Sequence, residues 1–133
     1  YEVLARLTAI WFELAKNLDV PDKTEENETL KRMHKFLEYI EHHYFEDITL
    51  EALAQSASVS KSECLRCFKT TMQDTPYRYL IEYRLQKATD LLRNTDLPIG
   101  QIAQAVGFQS QSHFGKLFKE RTGYTPKQYR ETA

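Results

Sequence analysis

The sequence predicts an all-α fold in which two helix-turn-helix subdomains are joined by a long linker helix and preceded by an extra N-terminal helix. Three observations carry that expectation. Apolar residues recur at steps of three and four through most of the chain, the period of helices with one buried face. An offset of 49 to 50 residues maps the second half of the chain onto the stretch before it, so one supersecondary unit occurs twice. Four Gly and four Pro in 133 residues are too few for a chain of many tight β-turns. The length allows one ordinary domain or two small ones, and the small ones would need to pack together to be stable.

Residues 1–18 place Leu4, Leu7, Trp11, Leu14 and Leu18 at helical steps, with Val3 and Ile10 widening the stripe. Two readings of this amphipathic helix stand side by side: docking on its own domain, or dimerisation and regulation. The chain opens on Tyr1 inside this pattern rather than on Met, so a further segment is expected upstream. Residues 19–29, DVPDKTEENET, lose the apolar period and read as a linker. A helix follows from about Leu30 to Tyr44, with Met33, Phe36, Leu37 and Ile40 on one face, Glu28 and Thr29 suited to its start, and His42 and His43 suited to its end.

The repeat begins here. Asp47-Ile48-Thr49-Leu50 matches Asp96-Leu97-Pro98-Ile99, and Leu53-Ala54-Gln55 matches Ile102-Ala103-Gln104. After a one-residue shift, Phe68-Lys69 matches Phe118-Lys119, Pro76 matches Pro126 and Tyr79 matches Tyr129. Each copy reads as a short helix, a tight turn and a longer helix, over about 49–72 and 98–121. Gly107-Phe108 forms the second turn and Ser58-Val59 the first, where Ser60-x-x-Glu63 supplies a capping box. Small Ala54 and Ala103 allow the helices of each unit to approach closely. Between the copies, residues 76–94 form the connector, with Leu80, Ile81, Leu85, Ala88, Leu91 and Leu92 on its apolar side.

On the longer helix of the first copy, Cys64, Cys67, Phe68 and Thr71 face inward, and Ser62, Arg66 and Lys69 face outward with Leu65 at the edge. In the second copy Phe114, Leu117 and Phe118 face inward, and Ser112, Lys116 and Lys119 face outward, flanked by His113 and Gly115. Both outer faces are polar and basic, as a helix in the major groove of DNA requires. The connector spans roughly 28 Å at ~1.5 Å per residue, close to one turn of duplex, so two reading helices can occupy successive groove segments.

Cys64 and Cys67 form a CxxC, but zinc would need two more soft ligands. His34, His42, His43 and His113 lack the required spacing, and a redox motif belongs after a strand. The repeat aligns both cysteines with core positions, so they read as buried thiols of a reducing compartment. No metal, cofactor or catalytic constellation is expected, and the chain does not read as an enzyme. No apolar run approaches the roughly 18 residues of a membrane span, and the chain reads as soluble and cytoplasmic, with no membrane partner.

The segments YIEHHYFEDITLEALAQSASVSKSECLRCFK and YRLQKATDLLRNTDLPIGQIAQAVGFQSQSHFGKLFKERTGYTPKQYR resemble the AraC/XylS family of bacterial transcription regulators, over about residues 30–131. The resemblance implies a DNA-binding domain of seven helices at 30–133, with residues 1–18 as the final helix of a regulatory or dimerisation region. It places base-reading positions at Ser62, Leu65 and Arg66 and at Ser112, His113 and Lys116, with Gln111 at the start of the second reading helix. It also implies double-stranded DNA as partner, a nucleoid-associated location, RNA polymerase and self-association through residues 1–18 as further contacts, and an effector held upstream. Leu65 can meet only a thymine methyl, and Pro98 replaces a hydroxyl residue, leaving that helix start without a side-chain cap.

Arg66 and Lys116 are the leading base-contact candidates, Arg66 for guanine in particular. Lys61, Lys69, Arg84 and Lys119 are the phosphate candidates, with solvated or intramolecular contacts as the alternative for Arg84 and Lys61. The competing function is a helical protein-interaction module without DNA binding, which the basic outer faces oppose. Overall charge is −1 with a pI near 6.5, which conceals an asymmetry. Residues 1–59 hold 6 Lys+Arg against 12 Asp+Glu, a formal −6, and residues 60–133 hold 12 against 7, a formal +5. The basic half contains both reading helices and their connector. Such a modest charge implies weak non-specific affinity at physiological salt.

Overall fold

A computed structural model describes residues 24–132. The helix expected over residues 1–18 lies outside the described residues. Seven helices and no strand make up those that are described: α1 (Thr24–His43), α2 (Leu50–Ser56), α3 (Lys61–Met72), α4 (Pro76–Asn94), α5 (Ile99–Ala105), α6 (Gln111–Thr122) and α7 (Pro126–Thr132). None is long and apolar enough to cross a membrane.

The first helix takes in Thr24–Thr29, part of the stretch expected to be linker. Acidic Glu26 and Glu28 break the apolar period yet suit a helix N-terminus, where the backbone dipole favours negative charge. Thr29 is buried, so the packed face begins one residue before Leu30.

Local chemistry sets the boundaries of both repeats. Thr49 caps α2 by accepting from the Ala52 N–H at 3.1 Å, whereas Pro98 gives α5 no side-chain cap. The turns that follow take the same form, with Ser58 at φ 56° and Gly107 at φ 102°. Each then returns a backbone N–H to the preceding helix, Val59 to Ala54 at 3.1 Å and Phe108 to Ala103 at 2.9 Å. Ser60 and Ser110 start the reading helices by accepting from the Glu63 and His113 N–H groups at 3.1 and 3.0 Å. Thr75 and Pro76 start α4 within the predicted bounds, since proline at the first helical position sacrifices no hydrogen bond.

Two adjoining cores form around α4. Met33, Phe36 and Ile40 of α1 pack with Leu53, Cys64, Phe68, Tyr79 and Leu80. Ile81, Leu85, Ala88 and Leu92 pack instead with Ile102, Phe114, Phe118 and Tyr129. The connector therefore passes from one core to the other between Leu80 and Ile81. Thr71 is only half-buried, and Met72 takes the inner position at that end of α3.

Arg84, a phosphate candidate in the sequence, takes its intramolecular alternative here and fastens the connector to the segment after α1. It is 8 % exposed. Its Nε donates to the Tyr44 carbonyl at 2.7 Å and its Nη2 to the Glu46 carbonyl at 2.8 Å, fastening the segment after α1 to the connector. Burial opposes the guanidinium charge and nearby Asp47 supports it. The Phe108 ring lies 5.9 Å away on the other side. Gly107 is confined by the same contact: a Cβ there would stand 2.6 Å from the Tyr44 carbonyl oxygen and 2.8 Å from Arg84 Nε. Farther along, Arg130 of α7 donates to the Leu92 and Thr95 carbonyls at 3.3 and 3.2 Å and so satisfies the end of α4.

Both cysteines are free and fully buried, as expected of core thiols. Burial, with a smaller contribution from Cys67, pushes the Cys64 thiol up to about 12, and burial followed by Glu63 raises Cys67. Neutral thiols in a closed core are poor nucleophiles and poor metal ligands.

Two outcomes follow. Arg84→Met should destabilise the chain by on the order of 3 kcal/mol, because two charge-assisted hydrogen bonds are lost and two carbonyls are left wanting; Gly107→Ala should cost more than ~1 kcal/mol through its positive φ. Urea denaturation measures both, and midpoints close to the parent would show that the halves do not depend on this junction. Alkaline pH should also destabilise the protein. An unfolded thiol ionises near its ordinary value of about 8.5, whereas folded Cys64 keeps its proton to about 12 and burial raises Tyr83 to about 12 as well. Stability should therefore hold below pH ~8.5 and fall from there towards pH ~12; a flat urea midpoint across that window would contradict this.

Candidate nucleic-acid interface

The N-terminal turns of α3 and α6 are the parts of a helix-turn-helix that meet base edges, and their serine caps fix where each begins. On α3, Lys61, Ser62, Leu65, Arg66 and Lys69 are all exposed. On α6, Gln111, Ser112, His113, Lys116 and Lys119 are exposed likewise. Of the expected contact residues, only Arg84 is absent from these faces. Beneath them Cys64, Cys67 and Phe68, and Phe114 and Phe118, anchor each helix in its core. Leu117 is half-buried against the second core.

The two faces differ in charge environment. Lys116 and Lys119 make no ion pair with any described residue, and the His113 ring rests edge-on against Phe108 with centroids 5.9 Å apart. Such a helix offers cations without competition. On α3, Lys61 Nζ lies 3.4 Å from Glu51, which realises its intramolecular alternative through an exposed, weak pair. Arg66 donates from Nε to Glu63 Oε1 at 2.8 Å and to Oε2 at 3.1 Å, and from Nη2 to Glu63 and to Thr29 Oγ1 of α1, the latter at 3.3 Å.

Glu63 departs from its expected part as the second half of a capping box. Ser60 makes its half, while the Glu63 carboxylate turns to Arg66 and to Arg32 Nη1 at 3.1 Å. The Arg66 hydrogen bond holds the Glu63 carboxyl below the usual carboxylate range, against an opposing effect of burial and with further help from the Arg66 and Arg32 charges. Arg32 and Thr29 had no signal in the sequence, since they lie 31 and 37 residues from their partners. The Glu63-to-Arg66 spacing of three was readable as a helical ion pair.

Leu65 is 43 % exposed and Tyr77 60 % exposed. Together with Ile40, Leu53 and Leu80 they border an apolar groove of about 230 Å³ beside the α3 face. An aliphatic side chain at this edge can meet a thymine methyl but no base-edge hydrogen bond.

Residues 53–132 match the family model of a helix-turn-helix domain. The HTH-type transcriptional regulator YdeC of Bacillus subtilis is 35% identical over 132 residues, covering 98% of this chain and 45% of YdeC. The chain thus spans less than half the length of that relative. Among solved structures, the C-terminal domain of AraT, a response regulator from Geobacillus stearothermophilus, superposes with a TM-score of 0.73 at 35% identity, covering 77% of this chain and 85% of the other. The DNA-binding domain of AdpA, a global transcriptional factor solved in complex with a target DNA, superposes with a TM-score of 0.72 at 26% identity, covering 76% and 91%. Paired helix-turn-helix units, the connector between them and these likenesses agree: the chain belongs to the AraC-type family of helix-turn-helix DNA-binding domains, which is not a class of enzymes.

Proposed function

We propose that this chain is the DNA-binding part of a sequence-specific transcription regulator, and that it sets α3 and α6 into successive major-groove segments on one face of double-stranded DNA. The observation that carries this reading is the pair of exposed basic helix faces on a 19-residue connector whose junction Arg84 locks. A rigid connector of roughly 28 Å approaches the ~34 Å of one DNA turn, which lets a single chain address two groove segments. Ser62, Leu65, Arg66, Gln111, Ser112, His113 and Lys116 are the proposed base-edge contacts, and Lys61, Lys69 and Lys119 the phosphate contacts.

The wider assignment extends the same proposal. Residues 1–18 close a regulatory region and support self-association, the DNA-binding domain occupies the rest after a short linker, and an effector binds upstream. Contact with RNA polymerase and a nucleoid-associated place in the bacterial cytoplasm complete it. YdeC, which is more than twice as long as the stretch shared, supports the existence of such a region in a relative.

Selection of duplexes from a random pool should enrich a site with two half-sites about one DNA turn apart. Affinity for that site should fall steeply with salt, because each phosphate contact releases counterions. Lys116→Ala should cost on the order of 1 to 3 kcal/mol and relax selection at one base pair, whereas Lys119→Ala should weaken all sequences alike. Gel-shift titration reads both; an unenriched pool combined with salt-independent binding would exclude the assignment.

A further inference from the structure

The matching cations of the two reading helices are held in different company. Lys116 of α6 has no carboxylate partner among the described residues. Arg66 of α3 is engaged by both oxygens of Glu63, by Thr29 of α1 and by the Cys67 Sγ. Glu63 also binds Arg32 of α1 at 3.1 Å, so one carboxylate gathers two guanidiniums along the seam between α1 and α3. In the second unit the repeat puts His113 at the position of Glu63, and histidine brings no negative charge to the groove-facing turn.

The arrangement sets up a competition. A guanine edge or a phosphate recruiting Arg66 must displace a carboxylate already bonded to it, and that carboxylate is itself repelled by the DNA backbone. The pair is half-exposed, with side-chain exposures of 50% and 27%, so water and salt weaken it enough for exchange. Lys116 faces no such contest.

We propose that Glu63 is a positioning residue that determines specificity in the first unit: it holds Arg66 against α1, so that α6 dominates base recognition and α3 selects bases through Ser62 and Leu65 until DNA draws Arg66 away. This rests on the DNA-binding reading above. The exchange also ties α1 to reading, because Thr29 loses its hydrogen bond from Arg66 whenever Arg66 moves to DNA, while Arg32 keeps Glu63. Glu63 touches no base in this scheme and acts through Arg66.

The test uses the whole chain and a duplex that the parent protein recovers from a random pool, with an unrelated duplex as comparison. Glu63→Gln keeps the side chain's size and removes its charge. It should tighten binding to both duplexes about three- to tenfold and steepen the log–log salt dependence by about one, the change expected for one further phosphate-directed cation. Arg66→Ala alone should weaken binding less than about threefold, and Lys116→Ala more than about tenfold. The double variant E63Q/R66A should lose most of the gain. A second selection with E63Q should change the preferred base within one half-site only, a readout that a merely structural residue would not move. Glu63→Ser provides the same test should the glutamine variant melt at lower temperature.

Absence of tightening in E63Q and E63S, or a gain kept in full by E63Q/R66A, would overturn the role of Glu63 while a large Lys116→Ala effect left the DNA-binding reading in place. Loss of neither affinity nor salt dependence in Lys116→Ala, with no sequence enriched, would overturn both.

Discussion

The guanidinium of Arg84 fastens the connector to the segment after α1, beside Tyr44, which packs against both cores. Arg84 leaves the middle of the connector helix, one turn past the point where its apolar face changes cores, and binds two backbone carbonyls 38 and 40 residues back in the chain. Buried carbonyls without partners are costly, and a buried arginine is tolerable only where its donors are used, so each group makes the other affordable. Gly107 seals the arrangement from the second unit, since the Tyr44 carbonyl and Arg84 leave no room for a Cβ. The relative placement of α3 and α6 thus descends from contacts remote from either. The connector sets their separation, and the Arg84 bridge adds a second attachment between the connector and the segment that follows α1.

Much of the fold was legible because duplication repeats its own signals. The bounds of the connector, the Ser60 cap, the place of the two turns at Ser58 and Gly107, and the inward cysteines followed from local chemistry, whereas the Ser110 cap and the positive φ of Ser58 did not. Most of what else escaped was non-local. Arg84 looked like one more cation on an amphipathic helix, and nothing in its neighbours announced carbonyls some forty residues distant. The start of α1 escaped for another reason: its exposed acids, Glu26 and Glu28, carry no apolar period, and the composition resembles a linker. At the interface, the outward faces were readable from the helical wheel, but the attachment of Arg66 to Thr29 and the pairing of Glu63 with Arg32 depend on how α1 crosses α3.

The copies have diverged where their surroundings differ. Thr49 caps α2, while Pro98 starts α5 with a favourable φ and no side-chain acceptor. One reading helix carries an ion network that engages its neighbour, and the other carries lysines open to solvent. The first is built into the path from the upstream chain through α1, and the second is mounted on the connector and closed by α7. The repeated shape therefore carries two different surfaces.

The turn residues show how far that divergence has gone. Ser58 adopts a left-handed conformation in spite of its Cβ and carries the modest strain this entails, roughly 1 kcal/mol. Gly107 is held more tightly, because a Cβ on its present backbone would meet the Tyr44 carbonyl oxygen at 2.6 Å and Arg84 Nε at 2.8 Å. The halves are consequently not interchangeable modules: a tandem of two first units would drive a serine into the Tyr44 carbonyl and part the seam.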